Sequence, residues 1–277
     1  MTRWAEVADG IFVGRYQPYD VNVTVVRGAD GLLVVDTRSS HREADEIRRD
    51  LTTLGAALPV RWVVNTHAHF DHSFGNYRFG PDSDLGAPIY GHERAPAHLL
   101  EYETPKLADF VETDTERSAE WAEVIITPPT ELVAERASID LGDRSVELLH
   151  LGRGHTDNDL LLHVRAVDTW LVGDLIEESG PPMYAPDCFP LEWPETVSAL
   201  TGRLGDDTVV VPGHGTTVDS GFVAAQLADL RAVADLIREL HVAGVPVEAA
   251  LGEGGDRWPF PAEGLAAAVR RGYLQAD

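Results

Sequence analysis

The run Thr66-His67-Ala68-His69-Phe70-Asp71-His72 carries imidazole or carboxylate at four positions, and three further such groups stand far downstream. These are His155 in Gly152-Arg153-Gly154-His155-Thr156, Asp174 in Leu171-Val172-Gly173-Asp174, and His214 in Val211-Pro212-Gly213-His214-Gly215. In a chain with 11 histidines among 277 residues, a chance His-x-His-x-Asp-His run is expected on the order of one time in a thousand. A metal centre gathers its ligands from distant segments, so the fold must bring positions 67–72, 155, 174 and 214 to one place. Neutral imidazole and carboxylate suit zinc and its divalent neighbours, while the lone cysteine, Cys188, excludes a thiolate cage.

The spacing has a geometric reading. Val60-Arg61-Trp62-Val63-Val64 is β-branched and mostly apolar, the signature of a buried strand, and the histidines follow where it ends. In a still-extended segment, residues two apart face one way, so His67 and His69 can share one metal. The turn that follows then presents Asp71 and His72 to a second. The two halves of the chain also rhyme. Leu32-Leu33-Val34-Val35 closes on Asp36, a helix follows, and the next strand runs into His67. Thr169-Trp170-Leu171-Val172-Gly173 closes on Asp174, a helix follows, and Thr208-Val209-Val210-Val211 runs into His214. Strand ends are where α/β folds place their sites.

The remaining elements support an α/β reading. Ser40-His41-Arg42-Glu43 has the capping-box pattern, with Ala44, Ile47, Leu51 and Leu54 at three-four spacing until Gly55. Pro194 opens a short helix carrying Val197 and Leu200, and a long helix is expected from about Ser220 to Gly244. A last, Ala-rich helix near Pro261 to Arg271 is expected at the periphery. The start reads as antiparallel β, with Ile11-Phe12-Val13 and Val21 to Val26, then Gly28-Ala29-Asp30-Gly31 as a turn.

Composition narrows the function classes. The hydrophobic content of 44% supports one large core, no Pro/Gly-rich linker divides the chain, and one domain over residues 1–277 is expected. There is no 18-residue apolar run and no basic-then-apolar leader at Met1-Thr2-Arg3-Trp4, and a single cysteine allows no intramolecular disulfide. The expectation is a cytoplasmic protein without a membrane span. The net charge of −24, from 22 basic and 46 acidic side chains, disfavours nucleic acid as a partner and leaves a small-molecule substrate, with the oligomeric state open.

With these residues in this order, the chain resembles the metallo-β-lactamase superfamily, from the strand ending in Asp36 to His214. The resemblance implies a four-layer αββα sandwich with a dinuclear site at the sheet edge. It implies that His67, His69 and His155 hold one metal, that Asp71, His72 and His214 hold the other, and that Asp174 bridges both. Two zinc ions per chain are expected, with iron or manganese as substitutes. A hydroxide between two divalent cations exists near neutral pH because they depress the pKa of bound water towards about 7. The expected function is therefore hydrolysis of an ester, thioester, lactone or amide-like carbonyl, with Asp71 as the catalytic side chain that orients the hydroxide and shuttles its proton. The alternative is an iron-dependent oxidase or dioxygenase on the same fold. Oxygen-reducing diiron relatives carry Glu where this chain has His69, which lowers that alternative.

Other residues have two readings each. Asp36 either holds a ligand loop or caps its strand. His41, His92, His98, His150, His163 and His241 lack a companion at ligand spacing and are expected to be structural or exposed, and Cys188 is not expected to be a nucleophile. The stretch from 92 to 135 either arches over the site or is a solvated connector, and the stretch from 180 to 193 either walls the substrate or packs on a helix. Secreted lactamases of the resembled family place Cys where this chain has Asp174 and Lys three positions later. Here that later position is Glu177, followed by Glu178, and nothing in the sequence settles where Arg153 points.

Overall fold

A computed structural model describes residues 3–54 and 58–276. Its elements run β1 (Ala5–Ala8), β2 (Ile11–Tyr16), β3 (Val21–Arg27), β4 (Leu32–Val35), α1 (His41–Leu51), β5 (Val60–Val64), α2 (Phe70–Ser73), β6 (Ile89–His92), α3 (Ala95–His98), α4 (Thr104–Thr113), α5 (Ser118–Trp121), β7 (Glu131–Val133), β8 (Arg136–Asp140), β9 (Ser145–Leu149), β10 (Leu161–Val164), β11 (Thr169–Gly173), α6 (Trp193–Thr201), β12 (Val209–Pro212), α7 (Ser220–Val242), α8 (Val247–Gly254) and α9 (Ala262–Ala276). Strands β1 to β7 lie in sequence order in one sheet, and the other sheet has the order β12-β11-β10-β9-β8. Pairing is antiparallel except for β4/β5, β5/β6, β6/β7 and β11/β12, which are parallel.

Period-two alternation along the strands builds the layers. Leu33 and Val35 of β4, Val64 of β5, Leu171 of β11 and Val211 of β12 meet between the sheets. Their neighbours Val34 and Val63 turn outward onto Ala44, Ile47 and Leu51 of α1. Trp170, Val172 and Val210 turn outward from the smaller sheet onto Val197 and Leu200 of α6, Leu227, Leu230 and Ile237 of α7, and Leu265 and Val269 of α9. The result is the expected αββα sandwich. Each fully buried aliphatic side chain in these three seams contributes about 1.5–3 kcal/mol relative to exposure.

Two helices differ in detail from expectation. Helix α1 is capped as read, with Ser40 Oγ accepting from Glu43 N–H, but it ends at Leu51 and Leu54 belongs to a tighter turn. The helix stop expected at Gly55, and the Met1-Thr2 end at which no leader is expected, fall outside the described residues. Helix α9 is longer than expected and integral to the core, with Leu265, Ala268 and Val269 buried, because α8 folds back to let it pack along α7. No helix among the described residues is long and apolar enough to cross a membrane.

This topology positions the site. The C-terminal ends of the parallel pairs β4/β5 and β11/β12 deliver Asp36, His67, Asp174 and His214 to one edge of the sandwich. The two sheets are stitched there by Asn22, whose N–H donates to Gly213 O at 2.7 Å and whose Nδ2 donates to Pro212 O at 2.9 Å and Gly215 O at 3.0 Å.

Candidate metal centre

The His67–His72 segment is held from both sides. At the end of β4, Asp36 takes a left-handed backbone (φ 65°) and turns its carboxylate across to the next strand. It accepts from Thr66 N–H and Thr66 Oγ1, each at 2.8 Å, and lies 2.9 Å from His72 Nδ1. Asp36 therefore holds the ligand loop. Asn65 Nδ2 and Thr37 N–H donate to His72 O at 3.2 and 2.8 Å, and Asn158 Oδ1 accepts from Ala68 N–H at 2.9 Å. His67 to His69 stay extended and α2 then begins, so the chain turns as expected between the first pair of ligands and the second. On the far side, Asp159 fastens the His155 loop by accepting from Thr156 N–H and Oγ1. Position 213 must be glycine, because a Cβ there would stand 1.8 Å from Asp174 Oδ1.

All seven sequence-derived candidates are buried and converge. Ligand atoms of His67, His69 and His155 lie within 4.8 Å of one another, and so do those of Asp71, His72 and His214. Asp174 stands between the two trios. Its Oδ2 is 3.4 Å from His155 Nε2, 3.8 Å from His67 Nε2 and 3.3 Å from His214 Nε2, while its Oδ1 is 3.3 Å from His72 Nε2. Asp71 Oδ2 is 3.5 Å from His214 Nε2 and 3.7 Å from His72 Nε2.

The donor set passes a test for cation binding. Each imidazole is tied on its outer side, leaving one nitrogen for the centre. His72 Nδ1 meets Asp36, His155 Nδ1 meets Met183 O at 3.1 Å, and His214 Nδ1 meets Tyr19 O at 2.7 Å. His67 Nδ1 lies 3.1 Å from Thr66 Oγ1, and its Nε2 is a buried atom with no hydrogen-bond partner, as is Asp174 Oδ1. The inward nitrogens face one another, with His69 Nδ1 and His155 Nε2 2.9 Å apart and His72 Nε2 and His214 Nε2 3.2 Å apart. Nitrogens and carboxylate oxygens at such separations, turned inward and short of protein partners, are the arrangement in which divalent cations bind.

Protonation follows from the same packing. Burial drives His67 well below the ordinary imidazole range and takes His155 down to about 4. Burial opposes charge at His214 and His72 too, but Asp174 and Asp71 outweigh it, raising His214 to about 10 and His72 well above the usual value. Burial would raise Asp174, yet His214, His72 and His67 hold it well below the ordinary carboxylate range.

Several residues outside the metal motifs also reach the site. His98 does not stand apart: its side chain is buried and its Nε2 is 3.5 Å from Asp187 Oδ2, which is itself 2.9 Å from His69 Nε2. Asp187 was not singled out by any motif, and neither were Asn22, Asn158 or Asp159. The stretch from 92 to 135 packs against the ligand turn, with Phe70 5.1 Å from Phe110 and Ala68 and Phe74 clustered with Leu99 and Trp121. In the stretch from 180 to 193, Tyr184 and Trp193 are core residues and Met183 is exposed. Cys188 is buried, and burial raises its thiol pKa. Arg153 is paired with Glu192 and lies over the Phe189 ring. His92 packs against His150 with the rings tilted, while His41, His163 and His241 pack on Tyr77, Trp170 and Tyr273.

Comparison with known proteins agrees with this geometry. The family model described as "Metallo-beta-lactamase superfamily" matches residues 16–214. Among curated proteins, the chain is similar to "Acyl-coenzyme A thioesterase MBLAC2" of Homo sapiens, 27% identical over 240 residues and covering 76% of this chain and 80% of that protein. It is also similar to "Metallo-beta-lactamase type 2" of Bacillus cereus, 22% identical and covering 79% of this chain and 76% of that protein. Among solved structures, the sec-alkylsulfatase Pisa1 from Pseudomonas sp. superposes with a TM-score of 0.78 at 16% identity, covering 99% of this chain but 50% of the sulfatase, so the chain spans about half the length of that protein. The metallo-beta-lactamase from Pontibacter korlensis superposes with a TM-score of 0.64 at 19% identity, covering 82% of this chain and 98% of that one.

Proposed function

This chain belongs to the metallo-beta-lactamase superfamily, and we propose that within it the chain is a dinuclear zinc hydrolase cleaving a small carbonyl substrate, a thioester foremost among ester, lactone and amide-like bonds. The observation that carries the reading is Asp174 standing within 3.8 Å of inward nitrogens from both trios. His67, His69 and His155 would hold one cation, Asp71, His72 and His214 the other, and Asp174 both. When bound, the pair of cations supplies Lewis acidity and an attacking water acidified to near neutral pH.

The rest of the work falls to side chains. Asp71 has two oxygens, and the one not engaged in ligation can orient the attacking water and take its proton. Phe70, flanked in sequence by His69 and Asp71, heads a run of half-buried rings, 5.1 Å from both Tyr19 and Phe110. That wall excludes water beside the reacting carbonyl and gives an acyl group an apolar surface. Lys106, the one lysine of the sequence, lies 4.5 Å over the Tyr102 ring and 5.3 Å over that of Phe70. Its ammonium, paired with Glu103 at 2.7 Å, stands at the rim of the wall. The thioester preference is supported by the likeness to relatives named as acyl-coenzyme A thioesterases.

Metal-quantified protein assayed in parallel against thioesters, lactones, carboxylic esters, β-lactams and phosphodiesters tests the reading. Highest kcat/KM on a thioester or another non-lactam carbonyl supports it, and preference for phosphodiesters refutes it.

A further inference from the structure

We propose that Asp187, backed by His98 and Glu103, is the positioning group that decides which ring nitrogen His69 turns to the metal centre. The inference rests on the dinuclear reading above. His69 differs from its companions. His72, His155 and His214 are tied through Nδ1 and turn Nε2 inward, and His67 has its Nδ1 beside Thr66 with Nε2 free. In His69 the ring is reversed: Nδ1 is the atom 2.9 Å from His155 Nε2, and Nε2 is the atom 2.9 Å from Asp187 Oδ2.

A neutral imidazole can carry its proton on either nitrogen, and the hydrogen bond on one side decides which lone pair is left for a cation. With Nε2–H donating to Asp187, the lone pair falls on Nδ1. The carboxylate also strengthens that nitrogen as a donor, because its negative charge favours electron density on the ring.

Asp187 sits on the loop before α6, 118 residues from His69, and does not hold its position alone. His98 Nε2 is 3.5 Å from Asp187 Oδ2 and 3.8 Å from Glu103 Oε1. Glu103 is fully buried and pairs with Lys106 at 2.7 Å. Lys106, Glu103, His98, Asp187 and His69 thus form a line of polar side chains from the rim of the aromatic wall to the centre. His98 Nε2, Glu103 Oε2 and Asp187 Oδ1 are buried without a hydrogen-bond partner. Such atoms are costly, and a fold that only needed to fill this space would use apolar side chains.

The test uses the full chain loaded with cobalt, comparing wild type with Asp187→Ala, Asp187→Asn and His98→Gln. Chelator competition reads the affinity of each metal equivalent, and the visible ligand-field spectrum reads the geometry around it. Asp187→Ala should weaken one equivalent about 10–100-fold and shift its spectrum while the other stays within about twofold, and Asp187→Asn, which keeps an acceptor but loses the charge, should fall between. His98→Gln should give a smaller loss at the same equivalent. Two equivalents of wild-type affinity and spectrum in Asp187→Ala would overturn the proposal. So would equal weakening of both equivalents together with a lower melting temperature of the metal-free protein, which is the mark of a scaffold role. A wild type that takes up no second equivalent would instead refute the dinuclear reading itself.

Discussion

Asp71 is the side chain whose loss should separate chemistry from folding. It lies in the short helix α2, outside the three apolar seams, and its carboxylate oxygen lies 3.5 Å from His214 and 3.7 Å from His72. Asp71→Ala should lower kcat by at least about 100-fold, the lower range for losing a positioned acid–base group, while circular dichroism stays unchanged. Wild-type turnover in that variant would remove Asp71 from the mechanism. Glu177 leads to a second expectation. It is buried, accepts from Ser179, and belongs to a cluster with Asp174 and His214, while Arg153 is committed to Glu192. An anion near the centre repels the carboxylate of a penicillin or carbapenem, and no free cation at Arg153 offsets it. Turnover of β-lactams should be weak, and a kcat/KM above about 10⁵ per molar per second would contradict this.

At the level of elements, the strand ends do the positioning, and their tolerances are tight. The β12 turn brings Gly213 against Asp174, and a methyl group there meets Oδ1 at 1.8 Å. Gly213→Ala should therefore displace the Asp174 carboxylate and lower metal affinity by roughly 10-fold or more, with the sheets intact, as read by chelator competition and circular dichroism. Strand β6 carries a different sensitivity. Burial, with help from His150, lowers His92 to about 4, with Arg94 also disfavouring its charge and Asp157 favouring it. A histidine depressed in the folded state contributes stability that is present above the unfolded value near 6.5 and lost as pH falls through about 4. In denaturant titrations of metal-free protein between pH 7 and 4, His92→Gln should lose stability less steeply than wild type, and parallel slopes would contradict the assignment.

These elements also show what a sequence can reveal. The ligand motifs were legible because metal chemistry demands particular residue types, and because each follows an apolar strand whose end is visible in the pattern. Asp36 could be read as a strand end, but its bonds to Thr66 and His72 needed the parallel pairing of β4 with β5 to be seen. His98 and Asp187 carried no signal, since each is isolated along the chain and they meet only when the stretch around α3 and α4 folds over the ligand turn. Helix α9 was underestimated because small alanines make a weak stripe, although they allow close packing on α7, where Gly272 admits Ile237.

For the molecule as a whole, the sandwich is a clamp. Two sheets meet at one edge, Asn22 stitches them, and the metal-binding groups come from both: His67 to His72 follow the larger sheet, and His155, Asp174 and His214 belong to the smaller. Cations held across that edge should therefore stabilise the sandwich as well as serve catalysis, since any ligand that binds only the folded state raises its stability. The central claim is that two cations are held here by seven protein groups. Elemental analysis of protein purified without added metal, before and after chelation, tests it most directly. Zinc is expected near two equivalents per chain, falling on chelation with loss of activity and a lower melting temperature. Zinc at or below one equivalent with full activity, or iron as the dominant metal with oxygen consumption, would contradict it.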